Sequence, residues 1–289
     1  MLEPMIVFSS VSKEYNGNAV LDNISFSIRP GEFVCITGPS GAGKSTLIHL
    51  MIRAEMPTSG SIEVDGADIT KLPIPVLQVY RRRMGVVFQD YKLLTDRTVG
   101  ENVAFALEVK GATDDEIKEK VTRVLAELKL VDQIDSFPNE LSGGEKTRTS
   151  LARALVHDPT ILIADEPTGN IDPRQSMEII DLLKKINQKG TTVILASHDR
   201  LVVDAACSRV LRLEDGKLVG DWVGGYMGGE KAANVSEKGD SSGQPAETGN
   251  HPAHAHPVHH HAAHAHTHPH HPAHAHGSEE HHKVKPISI

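Results

Sequence analysis

Nine consecutive residues, Gly38, Pro39, Ser40, Gly41, Ala42, Gly43, Lys44, Ser45 and Thr46, carry the pattern G-x-x-x-x-G-K-[ST]. The apolar run "EFVCITG" before them reads as a strand and "KSTLIHLMIRA" after them as a helix, the setting in which such a loop holds phosphate. Its glycines let backbone N–H groups close around phosphate oxygens, and the helix N-terminus adds partial positive charge. Lys44 can reach β- and γ-phosphates, and Ser45 can ligate magnesium. A second group of chemical residues ends the apolar run in "ILIADEPTGNID". There Asp165 is placed to hold a magnesium shell. Glu166, turned elsewhere as the strand ends, is the candidate to polarise an attacking water. Alone, this Asp-Glu pair would read as two capping acids; beside a phosphate loop it reads as the other half of a hydrolytic site.

"LSGGEKTRTSLARAL", residues 141–155, looks like a further phosphate site. Ser142 and Glu145 fit a capping box, S-x-x-E, ahead of a helix. That local reading leaves Gly143 and Gly144 unexplained, because paired glycines cost helix stability unless something approaches the backbone.

In this order the three motifs resemble those of the ATP-binding-cassette ATPases, over residues 5 to about 225. The resemblance implies ATP and Mg2+ as cofactors and a homodimer packed head to tail, each "LSGGE" capping the ATP on the other copy's loop. Ser142 and Gly144 would then contact a γ-phosphate across the interface. It also implies that Tyr15 in "SKEYNGNAVL" stacks on adenine and that Asn170–Asp172 lie across the dimer. Gln89, ending the "MGVVFQ" strand, would stand near magnesium and the water, and His198 in "ILASHD" would orient that water. The implied catalytic set is Lys44, Gln89, Glu166 and His198. Nucleotide binding falls to Tyr15, residues 38–46 and Ser142, Gly143 and Gly144, and Mg2+ to Ser45, Gln89 and Asp165.

The segment between Gln89 and Leu141 has room for a helical subdomain but not for the long coiled coil of chromosome-maintenance ATPases. A single cassette also argues against the tandem translation factors. "VVFQDYKLLTDRTVGENVAFALEV", ending at Val109, and "MIRAEMPTSGSI" before it resemble the cell-division ATPases FtsE, whose membrane partner is FtsX. This implies an ATPase that drives an FtsX-like integral membrane protein, alongside other division proteins, to activate peptidoglycan hydrolases. "DEPTGNID" is shared with lipoprotein-release and macrolide-export ATPases, which are the alternative. Two departures stand out: Gly100, where an aromatic is common, and Lys146-Thr147, where two glutamines are common. The first would bear on the groove that receives the partner.

The elements that must position these residues belong to a chain of 289 residues. Residues 1–229 mix apolar and charged side chains, and a core of that size suits one α/β domain. Strands alternating with helices predict a mainly parallel sheet covered on both faces. The N-terminal strands predict a small antiparallel layer beside it. A helical subdomain is expected at about 90–155, where Ile117, Val121, Val124, Leu125 and Leu128 recur at helical spacing. The formal charge is -8, which argues against a nucleic-acid partner. Cys35 and Cys207 give no disulfide or zinc pattern. With no readable signal peptide and no long apolar run, the expected place is the cytoplasm, on the inner face of the plasma membrane through a partner.

Residues 230–289 form a low-complexity tail holding 15 of the 18 histidines, with Ala-His-Ala-His beginning at 253, 263 and 273. It lacks the apolar residues to fold and is expected to be disordered. Two readings stand open for it: a site for Zn2+ or Ni2+ on alternating imidazoles, or a solvated linker that meets metal incidentally.

Overall fold

The computed structural model describes residues 3–231 apart from 207, 208, 227 and 229. The histidine-rich tail beyond 231, with its expected disorder and metal binding, lies outside the described residues, as does Cys207.

Eleven strands and seven α-helices follow one another along the described residues. They run β1 (Ile6–Tyr15), β2 (Asn18–Ile28), β3 (Phe33–Thr37), α1 (Lys44–Met51), β4 (Ser59–Val64), β5 (Ala67–Asp68), α2 (Ile74–Arg81) and β6 (Met84–Val87). The helical part holds α3 (Val99–Lys110), α4 (Asp114–Glu127) and α5 (Gly143–Leu155). After it come β7 (Ile161–Asp165), α6 (Pro173–Gln188), β8 (Thr192–Ala196), α7 (Arg200–Ala206), β9 (Arg209–Glu214), β10 (Lys217–Val223) and β11 (Glu230–Lys231). The helix starts are written in the sequence. Thr98 with Glu101, Thr113 with Glu116, and Ser142 with Glu145 each close a capping box, and Asp172 caps α6 ahead of Pro173.

The expected α/β class holds. One sheet is antiparallel, in the order β2-β1-β4-β5. The other runs β11-β10-β9-β3-β8-β7-β6, parallel from β9 to β6 with β10 and β11 antiparallel at one edge. Alternation along the parallel strands sends side chains into two separate cores. Phe33, Cys35, Leu162, Ala164, Val193 and Leu195 enter the core under α3–α6. Val34, Ile36, Ile161, Ile163, Ile194 and Ala196 enter the core shared with α1 and the antiparallel sheet. Hence these strands are apolar without a break, as strands buried on both faces must be.

Arg209, at the start of β9, joins the two sheets. Its Nε and Nη2 each donate to the Asp221 carboxylate at 2.8 Å, while Nη1 reaches Ser27 O at 2.7 Å and Glu32 Oε2 at 3.0 Å. Arg209 is 9 % exposed, and its guanidinium carries two carboxylates against it.

One boundary differs from expectation. Strand β6 ends at Val87, so Gln89 lies beyond the strand rather than at its end. The chain turns there through Tyr91 and Lys92, both left-handed, and no neighbouring strand pairs with it.

Candidate nucleotide site

The loop between β3 and α1 borders a cavity of about 390 Å³. Ser40, Gly41, Gly43, Lys44, Ser45 and Thr46 line it together with Val20 of β2, Gln89, Glu166 and His198. Residues from five separate chain segments therefore meet where the parallel strands end. Gly43 has φ 99°, and a Cβ on it would lie 2.6 Å from Leu21 Cδ2. The antiparallel sheet presses on the loop so closely that only glycine fits.

Lys44 is buried, and its Nζ donates to the carbonyls of Gly38 at 2.9 Å and Pro39 at 3.1 Å. These bonds arch the ammonium back over the loop, 3.8 Å from Glu166 Oε1. Glu166 takes a left-handed backbone (φ 47°) and its N–H donates to Ala196 O, which swings its side chain into the cavity. His198 Nδ1 donates to Glu166 Oε1 at 2.8 Å. The carboxylate is thus held between a lysine and a histidine that follow two different strands.

Asp165 is buried, and burial pushes its carboxyl above the ordinary aspartate range. The Ser45 hydroxyl opposes that rise and the Glu166 charge adds to it. Its Oδ1 has no hydrogen-bond partner although it is buried. A buried, unsatisfied acceptor is costly, and a hard cation on the Asp165 and Ser45 oxygens relieves it. These residues fit Mg2+. Among the described residues no cluster of three or more His, Cys, Asp or Glu offers a softer metal a site.

Tyr15 does not line the cavity but stands beside Thr46, which does. Its hydroxyl bonds Glu55, and Lys13 Nζ lies 4.7 Å from the ring centroid. Val20 was not legible as part of the site, since no motif marks it.

Ser142, Gly143 and Gly144 stand apart from this cavity. Ser142 caps α5, its Oγ 2.6 Å from Glu145 Oε2 and accepting from the Glu145 N–H at 3.4 Å. The glycines have a reason within the chain itself. A Cβ on Gly143 would lie 2.7 Å from Asn170 O and 3.0 Å from Ile171 Cγ2; one on Gly144 would lie 2.1 Å from Gln175 Oε1. Something does approach the backbone, and it is the segment after Glu166. Gln175 is flexible and can yield, whereas the Asn170 carbonyl is backbone. Gly143→Ala is therefore expected to destabilise the fold by about 1–3 kcal/mol, and Gly144→Ala by less. Urea unfolding of the two variants checks the order.

The two sequence departures also find places. Gly100 is buried, and a Cβ there would meet Ile134 Cγ1 at 3.0 Å, so this position faces the interior rather than a docking groove. Thr147 is buried, with Oγ1 reaching Gly143 O at 3.1 Å and Pro167 O at 3.3 Å. It ties the start of α5 to the turn that follows Glu166.

Residues 21–169 match the family model described as ABC transporter. The chain belongs to the ATP-binding-cassette family. Among ABC proteins it is 47% identical over 225 residues to the cell division ATP-binding protein FtsE of Bacillus subtilis, covering 78% of this chain and 99% of that one. FtsE of Escherichia coli is 44% identical over 217 residues, 75% of this chain and 98% of its own. Of solved structures, the ATP-binding cassette MJ0796, a dimer in a post-hydrolysis state bound to ADP and Pi, superposes with a TM-score of 0.71 at 33% identity. That likeness covers 76% of this chain and 98% of the other. The chain is an ABC ATPase that uses ATP and Mg2+. No helix among its described residues is long and apolar enough to cross a membrane.

Proposed function

We propose that this ATPase is the motor subunit of an FtsE–FtsX-like complex in cell division. Two copies would clamp two ATP molecules between them, and an FtsX-like membrane protein would carry the motion outward to peptidoglycan hydrolases. The carrying observation is the identity to FtsE over almost the whole length of those relatives. In support, apolar side chains are exposed near the segment after Gln89. Phe105 and Val109 of α3 are exposed, as are Ile74 and Val79 of α2. Arg82, just after α2, reaches Val109 O, so the two helices adjoin. Such a surface suits a membrane partner's cytoplasmic helix. It would hold the chain at the inner face of the plasma membrane.

In this reading Lys44 and the loop N–H groups neutralise the phosphates. Glu166 orients and polarises the attacking water, and His198 keeps Glu166 aimed. Gln89 contacts the same region from the turn beyond β6. Ser45, Asp165 and Gln89 would hold Mg2+, which would supply charge neutralisation for the phosphates. Ser142 and Gly144 serve the other copy's nucleotide, which agrees with their absence from their own chain's cavity. Tyr15 offers its ring to adenine.

The test is to recover the Glu166→Gln protein with ATP from its native membranes and identify its companions by mass spectrometry. A small integral protein with four spans and one large external domain, together with division proteins, is the expected result. A permease accompanied by a substrate-binding or outer-envelope component would instead assign the chain to lipoprotein release or macrolide-type export.

A further inference from the structure

The turn that carries Gln89 is strained and is held from one side. Tyr91 and Lys92 adopt φ 60° and 49°, although neither is glycine. Consecutive left-handed residues of this kind persist only when their surroundings over-determine them. What holds them is Arg153, in the last turn of α5. Its Nη2 donates to Tyr91 O at 2.8 Å and its Nη1 to Lys92 O at 2.7 Å, with Ser150 Oγ adding a bond to Tyr91 O at 3.3 Å.

Arg153 is partly buried, and among the described residues no carboxylate pairs with it. An arginine at a helix C-terminus has a bland explanation, its charge being favourable there. That explanation does not require the planar fork to engage two successive carbonyls of another segment. Nor does it explain why a charge disfavoured by burial is left without an acid. On its other side, Gln89 O is reached by Asn170 Nδ2 at 3.5 Å. Gln89 thus sits between two anchors, and Arg153 is the stronger.

We propose that Arg153 is a positioning residue for ATP hydrolysis: by gripping the Tyr91 and Lys92 carbonyls it fixes the turn that presents Gln89 to the cavity. This rests on the role given to Gln89 above. Arg153 touches neither nucleotide nor metal and acts only through that turn.

The experiment is a double-mutant cycle on the full chain, with steady-state ATPase as one readout and amide hydrogen exchange over residues 88–95 as the other. Arg153→Met is expected to lower kcat roughly tenfold and leave the KM for ATP within about twofold, because it removes positioning rather than binding. In a Gln89→Ala background the same substitution is expected to lower kcat by no more than about twofold, since the group it positions is gone. Exchange over 88–95 rises in Arg153→Met while the start of α5 keeps its protection. Arg153→Lys, which keeps the charge but offers a single donor nitrogen in place of the fork, recovers part of the loss and takes its place in the cycle if the methionine variant does not fold. If Gln89→Ala lowers kcat but the Arg153 loss is the same in both backgrounds, Arg153 only supports the fold and this inference falls. If Gln89→Ala leaves kcat unchanged, the reading of Gln89 itself falls, and the role of Arg153 with it.

Discussion

Glu166→Gln is expected to lower ATP turnover by about a thousandfold and to trap an ATP-bound dimer. Glu166 is 9 % exposed, and its carboxylate is fixed by the His198 Nδ1 bond. Glutamine keeps the shape, and its carbonyl oxygen still accepts from His198, so the cavity stays formed. What is lost is the charge that polarises the water. ATP binding survives while hydrolysis does not, and light scattering with ATP present should report a dimer that parent protein forms only transiently. Equal turnover in the two proteins would remove Glu166 from its assigned role.

Asp165→Asn separates stability from activity. Its carboxyl is pushed upward first by burial, and its Oδ1 lacks a partner. A carboxyl whose pKa is higher in the folded than in the unfolded chain favours folding in acid. That advantage disappears as the pH rises through the folded value. Without nucleotide and metal, the variant should therefore gain on the parent as the pH moves from about 4, near the unfolded aspartate value, toward 7. Asparagine can still accept from Ser45, so little is lost locally. With Mg2+ and ATP the order reverses: the parent is stabilised, and turnover in the variant falls by about a thousandfold. Melting curves at several pH values, with and without Mg-ATP, check both halves. A variant that hydrolyses ATP normally would take Asp165 out of the metal site.

Much of this site was legible because its chemistry is local in sequence. Residues 38–43 form one loop between β3 and α1, residues 44–46 open that helix, and Asp165 and Glu166 need only the end of β7. His198 follows the next strand, and parallel pairing of β7 with β8 brings it to Glu166. The capping box of Ser142 and Glu145 was readable for the same reason, since it spans four residues. What escaped was long-range. That Gly143 and Gly144 make room for Asn170 and Gln175 of their own chain depends on how two loops meet, and "LSGG" alone invites only the partner's phosphate. Gln89 was placed on a strand because the run "MGVVF" leading to it is unbroken by charge or polar side chains, whereas the strand stops at Val87. The short α2 begins at Ile74 next to two prolines and shows too few turns for a helical period to emerge. Gly100 looked like a change in a docking surface, but Ile134 already fills that space from inside.

The Arg209 cluster limits how this protein can be recombined with its relatives. One guanidinium takes partners from Ser27, Glu32 and Asp221, at opposite ends of the cassette sequence. A chimaera that exchanges the first thirty or so residues for another cassette's, and brings in an apolar side chain at position 32, leaves a buried cation half-neutralised. The N-terminal sheet is therefore not a transferable module. Position 32 has to travel with positions 209 and 221, and grafts designed at the visible boundary between the two sheets would cut through a buried polar contact that joins them.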